Sequence, residues 1–152
     1  QRIHGDLHLG NLVQRGEGLT LLDFDDFATG PPVQDLWLVL PGRDMASVRQ
    51  REIYMDAYNQ LADFDRATLR FIEPLRAMRW IHYATWLAKR WHDPAFPATW
   101  PHFGTEEYWA QETRDLVEQR LLIEQVVHGD VPPPVETDAE LTNKDFFWDW
   151  EG

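Results

Sequence analysis

A glycine-containing turn close to the start of the chain separates two polar clusters. The clusters read HGDLHLGN at residues 4–11 and DFDD at residues 23–26, and two short apolar runs around a Gly-Glu-Gly sequence lie between them. Short apolar runs on either side of such glycines predict a β-hairpin. We therefore expect Asn11 and Asp23 to lie at neighbouring strand ends, where two residues distant in sequence can share one ion.

Asp6 and Asn11 have the spacing of the catalytic loop of kinases. In that loop the Asp accepts the proton of the attacking hydroxyl, and the Asn five positions later holds magnesium. A second Asp, placed after a β-hairpin and followed by Phe-Gly, binds the magnesium ions that bridge the nucleotide phosphates. Asp23 occupies that place, although Asp25 stands where protein kinases have Gly. Because Mg²⁺ prefers oxygen ligands, the pattern predicts Asp6 and Asp23 as catalytic residues and Asn11 and Asp23 as magnesium ligands.

Two histidines, His4 and His8, flank Asp6. An H-x-D-x-H arrangement is also ligand spacing for a transition metal such as zinc, but that interpretation leaves Asn11 and Asp23 unexplained. For His4 we expect a supporting role, in which it hydrogen-bonds the loop backbone. His8 is predicted to bind the nucleotide cofactor together with Asn11 and Asp23, and a merely packed histidine is an equally good interpretation.

The motif HGDxHxxN, followed by hydrophobic-Asp-hydrophobic-x-Asp, resembles the signature of the aminoglycoside and choline phosphotransferase-like kinases. Three further stretches, at residues 30–37, 72–79 and 91–97, are similar to the bacterial stress response kinase A type, so the resemblance covers roughly residues 2–125. It implies an α+β, mostly helical fold, namely the C-terminal lobe of a protein-kinase-like structure with a small catalytic β-hairpin. It also implies Mg²⁺ and ATP as cofactors and serine/threonine protein kinase activity in stress response.

Other acceptors and other classes of function remain open at this point. The same motif serves aminoglycoside, choline and homoserine kinases, so a small-molecule hydroxyl acceptor is the alternative within the class. A non-catalytic interaction module or pseudokinase fragment is the alternative outside it. The joint presence of Asp6, Asn11 and Asp23 argues against a decayed site, because nothing structural demands all three.

A helix is predicted at residues 33–40, with Asp35 one turn inside it. In kinase-like folds an Asp at this place anchors the catalytic loop through its backbone amides, so Asp35 is predicted to support the site rather than to catalyse. Stabilisation of the helix dipole by a carboxylate in the first turn is the simpler alternative. Asp25 is predicted as a further supporting residue.

The chain contains 152 residues, which is enough for one core of ordinary size. We expect a kinase-like C-terminal lobe at residues 1–128, divided into a catalytic and metal-binding segment at 1–40 and a helical body at 41–128. Residues 129–152 read as a flexible acidic and aromatic tail. No glycine-rich loop precedes a strand lysine, so we expect an N-terminal nucleotide-binding lobe outside this sequence and an inactive fragment without it.

The charge balance restricts the partners. A net charge of −12 argues against nucleic acid and anionic membrane surfaces, which both favour basic patches. The absence of cysteine fits a reducing compartment, and no apolar run approaches the length of a membrane span. We expect a cytoplasmic monomer that binds ATP and a protein or small-molecule acceptor.

Three longer helices are predicted in the second half, each after a residue suited to an N-cap. They run from Asp44 to about residue 61, from 66 to 91 after Asp65, and from 106 to about 127 after Thr105. The first is expected to bury a side that includes Ile53 and Leu61, and Pro74 is expected to kink the second.

Arg76, Arg79 and Tyr83 share one face of the predicted helix at residues 66–91. Arginines near an active site can hold phosphate groups. Ion pairs with the many carboxylates of this acidic protein are the simpler interpretation, so these residues are not counted as catalytic.

Overall fold

The structure is a computed structural model that describes residues 1–130 and 134–135, so most of the predicted tail lies outside the described residues. The described elements are, in chain order, β1 Arg2–Ile3, β2 Leu12–Arg15, β3 Gly18–Leu21, β4 Ala28–Thr29, α1 Val33–Val39, α2 Met45–Tyr58, α3 Ile72–Lys89, α4 Phe96–Thr99 and α5 Glu106–Val127. Short 3₁₀ helices occur at Leu9–Asn11 and Arg66–Phe71. The predicted α+β, mostly helical fold is confirmed.

The predicted hairpin is formed by β2 and β3, which pair antiparallel with Leu12 opposite Leu21. Gly16 in its turn has φ +60°, a left-handed conformation that glycine adopts without steric cost. A second antiparallel pair, which the sequence did not predict, joins β1 to β4 and sets Ile3 opposite Ala28. This second ladder joins the residues just before the HGDLHLGN cluster to the residues just after the DFDD cluster.

The described chain divides into two compact units, residues 1–72 with 134–135 and residues 73–130. The core of the first unit is built mainly by α1, α2 and the segment after α2, and its buried apolar side chains are Ile3, Val33, Leu36, Trp37, Leu38, Met55, Phe64 and Ile72. Asp44 caps α2 as predicted, since its side chain accepts a hydrogen bond from the Ser47 amide at 2.7 Å.

The side of α2 that faces the core differs from the prediction. Ile53 is exposed and Leu61, beyond the end of the helix, is 94% exposed, whereas Met55 is buried. The helix carries few apolar residues among many polar ones, so its periodicity is weak. Met55 is the one fully buried side chain of this helix.

The single helix predicted at residues 66–91 is two elements, a 3₁₀ helix at Arg66–Phe71 and α3 from Ile72. Pro74 explains the division. It lies in the first turn of α3, where its missing N–H is not needed, but inside a longer α-helix its ring would clash with the carbonyl four residues earlier. Pro74 therefore favours a new helix start rather than the predicted kink.

The second unit contains α4, α5 and the part of α3 that follows residue 72. The side chain of Thr105 accepts a hydrogen bond from the Tyr108 amide and so caps α5 as predicted. Arg76 is fully buried with its Nε 3.5 Å from a carboxylate oxygen of Glu73, and Glu73 also accepts a hydrogen bond from Gln119. The ion pair supports the simpler interpretation of Arg76.

In the described part of the chain, none of the helices combines the length and the apolar character that crossing a lipid bilayer requires.

Candidate active site

Two loops face each other between the two strand ladders. The first loop is residues 4–11 and the second is residues 22–27; the pair β2–β3 joins them at one end and the pair β1–β4 joins them at the other. The Leu22 amide donates to the Asn11 carbonyl at 2.9 Å, and Nε2 of His4 lies 2.8 Å from the Leu22 carbonyl oxygen. The two polar clusters of the sequence therefore share one site.

Gly5 allows the closest approach between the loops. A Cβ atom at this position would lie 2.2 Å from the carbonyl oxygen of Asp26, and the backbone has φ +89°. Both observations require glycine, since a side chain would collide with backbone atoms that cannot rotate away. The sequence gave no signal for the contact between Gly5 and Asp26.

Asp35 holds the first loop by its backbone. One carboxylate oxygen accepts a hydrogen bond from the His4 amide at 2.8 Å, and the other accepts one from the Gly5 amide at 3.0 Å. This is the contact that the sequence led us to expect of Asp35. Gln34, which the sequence reasoning missed, donates its side-chain amide to the Gly5 carbonyl at 3.2 Å. The start of α1 thus fixes three backbone groups of the loop.

The residues at the ends of the kinase-like spacing are hydrogen-bonded to each other. The Asn11 side-chain amide donates to the Asp6 carbonyl at 3.0 Å, and the His8 amide donates to the same oxygen at 3.1 Å. Because the nitrogen of the Asn11 amide points at Asp6, its oxygen is directed away from that carbonyl. The Asp6 side chain is 29% exposed, so its carboxylate is accessible.

His4 and His8 are both buried, each about 5% exposed, but they contact different partners. The ring of His4 lies at the Leu22 carbonyl and packs on Phe24 with ring centroids 4.7 Å apart. His8 places Nε2 3.4 Å from Oδ2 of Asp6. His4 therefore contacts the backbone of the second loop, whereas the sequence predicted a hydrogen bond to the backbone of the first.

The zinc alternative requires several ligands at one point. Within residues 1–130 and 134–135, no three His, Cys, Asp or Glu side chains are grouped so that they could hold a metal ion. His4 in addition directs its Nε2 at a backbone carbonyl. The geometry does not bring His4, Asp6 and His8 together as a ligand set.

Asp23 has an unusual backbone conformation. Its φ is +58°, the left-handed region, and in the described chain all other positive φ values belong to glycines. Asp tolerates this region better than most residues, yet such strain persists mainly at functional sites. The left-handed conformation ends the alternation of side chains along the strand at Asp23. The Phe27 amide then donates a hydrogen bond to the Phe24 carbonyl at 3.1 Å, which closes a turn. Asp23 and Asp25 are both exposed.

An apolar cavity of about 470 Å³ lies beside the first loop, and the sequence gave no signal for it. Leu7 and Leu12, which line it, directly follow Asp6 and Asn11. Tyr54 also lines it, and burial, assisted by the negative charge of Asp35, raises the pKa of Tyr54 to about 12.

Residues 1–72 match the phosphotransferase enzyme family. The matched segment covers both loops and the whole of the first unit up to residue 72. This unit is therefore similar to that family over the segment that contains the candidate site.

Particular relatives narrow the class. The chain is similar to stress response kinase A of Escherichia coli K12, with 43% identity over 124 residues that cover 82% of this chain and 38% of the relative. It is also 43% identical over 122 residues to serine/threonine protein kinase RdoA of Salmonella typhimurium, covering 80% of this chain and 37% of the relative. These similarities confirm the resemblance given by the motifs. The chain spans little more than a third of the length of the relatives it matches.

Proposed function

We propose that this chain supplies the catalytic and metal-binding residues of an ATP-dependent kinase that phosphorylates serine or threonine hydroxyls of proteins. The observation that carries the proposal is the direct contact between the two loops, which carry Asp6, Asn11 and Asp23. The names of the relatives support a protein acceptor and a role in stress response.

Asp6 is the residue that we assign to the acceptor hydroxyl. Its carboxylate is accessible, while its backbone is fixed by the Asn11 side chain and the His8 amide. Asp6 would orient the hydroxyl and accept its proton while the oxygen attacks the γ-phosphorus and the bond to the β–γ bridging oxygen breaks. Positioning of this kind provides most of the acceleration, because phosphoryl transfer requires little covalent chemistry from the protein.

Asn11 and Asp23 are the residues that would hold Mg²⁺. The Asn11 amide oxygen is directed away from Asp6, and Asp23 adds an exposed carboxylate at the neighbouring strand end. This donor set suits Mg²⁺, which binds through one or two protein oxygens, several waters and substrate phosphates. When bound, the ion would neutralise phosphate charge that develops during transfer.

The partners that follow from this proposal are ATP and a protein acceptor. The net charge of −12 disfavours nucleic acid and anionic membranes as partners. We propose that the protein is a monomer and that it is located in the cytoplasm.

The test uses the full-length protein with Mg²⁺ and ATP labelled in the γ-phosphate. Bacterial proteins are compared with kanamycin, choline and homoserine as acceptors, and the Asp6→Asn variant is the control. We expect label on serine or threonine of protein, and none with the variant. Transfer to a small molecule alone would show that the acceptor is a small molecule and not a protein. Tight binding of Mg-ATP without transfer to any acceptor would favour a non-catalytic interaction module.

A further inference from the structure

The two histidines of the first loop differ in what they hold. Nε2 of His4 reaches the Leu22 carbonyl, one residue before Asp23, at 2.8 Å. Nε2 of His8 reaches the Asp6 carboxylate, at 3.4 Å from Oδ2. One ring therefore contacts the segment assigned to the metal, and the other contacts the group assigned to the acceptor hydroxyl.

The backbone of His8 is fixed on both sides by the residues it lies between. Its N–H donates to the Asp6 carbonyl at 3.1 Å, and its carbonyl accepts from the Asn11 amide at 3.0 Å. The ring is also buried, so packing restricts its rotation away from Asp6. The ring position and the Asp6 position are thus set by the same three residues.

A fixed imidazole has a direct chemical use beside a carboxylate. The terminal torsion of an Asp side chain is broad and roughly two-fold, so an unrestrained carboxylate samples many orientations. A neutral imidazole with its proton on Nε2 donates to one carboxylate oxygen and narrows that range. A general base must meet the substrate hydroxyl within hydrogen-bond reach, so restricting its orientation raises the share of productive encounters.

We propose that His8 is a positioning residue for the Asp6 carboxylate, in place of the nucleotide contact that the sequence predicted for it. The proposal rests on the proposed kinase function. It predicts that losing the His8 ring lowers turnover and leaves the affinity for Mg-ATP unchanged, because the contact is with the acceptor side of the site.

The test compares two substitutions of similar shape in the full-length protein. His8→Met removes the donor, whereas His8→Gln keeps an amide N–H near the place of Nε2. We expect His8→Met to lower kcat about tenfold or more, as for the loss of a hydrogen bond to a charged group, and His8→Gln to retain roughly a third of the activity. The KM for Mg-ATP should stay within about twofold of wild type in both, because the ring contacts Asp6 on the acceptor side of the site.

His4→Met is the matched control on the other histidine. It removes the contact with Leu22, next to Asp23, so we expect a raised KM for Mg-ATP. Equal kcat losses in His8→Met and His8→Gln would overturn the positioning role. A rise in KM for Mg-ATP with the loss of His8 would also overturn it and return His8 to the nucleotide.

A second readout leaves position 8 unchanged and needs no activity. In ¹⁵N spectra of the full-length protein, the His8 ring should carry its proton on Nε2, and that resonance should move in Asp6→Asn while the His4 resonance stays. An Nε2 without a proton, or one insensitive to Asp6→Asn, would contradict the proposal. If wild type transfers no phosphate, the kinase function fails and these spectra still decide whether His8 holds Asp6.

Discussion

The two loops of the site differ in how firmly the described chain holds them. In the first loop, His4, His8 and Asn11 are buried, and Asp35 and Gln34 bind its backbone. In the second loop, all the residues from 22 to 27 are exposed. The same short stretch of structure thus contains one rigid loop and one open loop.

This difference in burial corresponds to the two functions of the proposed site, which are positioning the acceptor hydroxyl and binding Mg²⁺ with the nucleotide. Segments with few buried contacts open at low free energy, and ligand-binding elements are drawn from such segments. We infer that the loop carrying Asp6 is preorganised by this chain alone. The loop carrying Asp23, whose backbone is strained, takes its final position when Mg²⁺ and nucleotide bind.

Removing the carboxylate of Asp6 or of Asp23, one from each loop, should have the largest effect on catalysis. The two substitutions should also distinguish positioning of the hydroxyl from binding of the metal. In the full-length protein, Asp6→Asn should lower kcat about 10³-fold with little change in nucleotide affinity, because a positioned base contributes about 10² to 10⁴. Asp23→Asn should lower kcat and also raise the KM for Mg-ATP. Steady-state rates at varied ATP measure both. An Asp6→Asn variant that loses nucleotide affinity but turns over at saturating ATP would reverse the assignment.

Gly5→Ala should break the contact between the loops. The new Cβ would meet the Asp26 carbonyl at 2.2 Å, so we expect a loss of about 3 kcal/mol in the free energy of unfolding, measured in urea. Gly16→Ala is the matched control, since Gly16 also has positive φ but has nothing within 4 Å, and should cost only about 1 kcal/mol. Equal losses would show that backbone conformation, not the contact, requires glycine at position 5.

Asp35→Ala should loosen the rigid loop. It leaves the His4 and Gly5 amides without their acceptor, so the unfolding free energy should fall by about 2 to 3 kcal/mol. Asp25→Ala, an exposed acid of the second loop, should change it by no more than about 0.5 kcal/mol. Hydrogen exchange of the Gly5 amide provides the local check, and unchanged protection in Asp35→Ala would contradict the role of Asp35.

Asp23→Gly should have the smallest effect on stability. Glycine removes the strain at φ +58° but adds freedom to the unfolded chain, so the net change should be within about 1 kcal/mol and not destabilising. Asp25→Gly, which relieves no positive φ, should destabilise by about 0.5 to 1 kcal/mol. A larger loss at position 23 than at position 25 would mean that the Asp23 side chain stabilises the open loop.

Local signals in the sequence predicted much of the fold. The glycine turn gave the hairpin, and Asp44 and Thr105 marked helix starts, because caps and turns depend on neighbouring residues alone. The spacing of Asp6 and Asn11 gave two residues that are hydrogen-bonded. The resemblance gave the contact of Asp35 with the loop.

The features that the sequence missed depend on distant partners. The ladder of β1 and β4 has two residue pairs, too few for a periodic signal, and the contact of Gly5 with Asp26 joins segments about twenty residues apart. The left-handed backbone at Asp23 follows a strand whose pattern is ordinary. The predicted kink at Pro74 is wrong, because Pro74 lies in the first turn of a new helix.

The most direct test of the account is a structure of the full-length protein with Mg²⁺ and a non-hydrolysable ATP analogue. The account predicts one ion bound by the Asn11 side-chain oxygen and an Asp23 carboxylate oxygen, at about 2.0 to 2.1 Å. Residues 4–11 should keep the contacts described above, and residues 22–27 should become covered. An ion held without Asn11, or Asn11 and Asp23 on opposite faces of the hairpin, would contradict it.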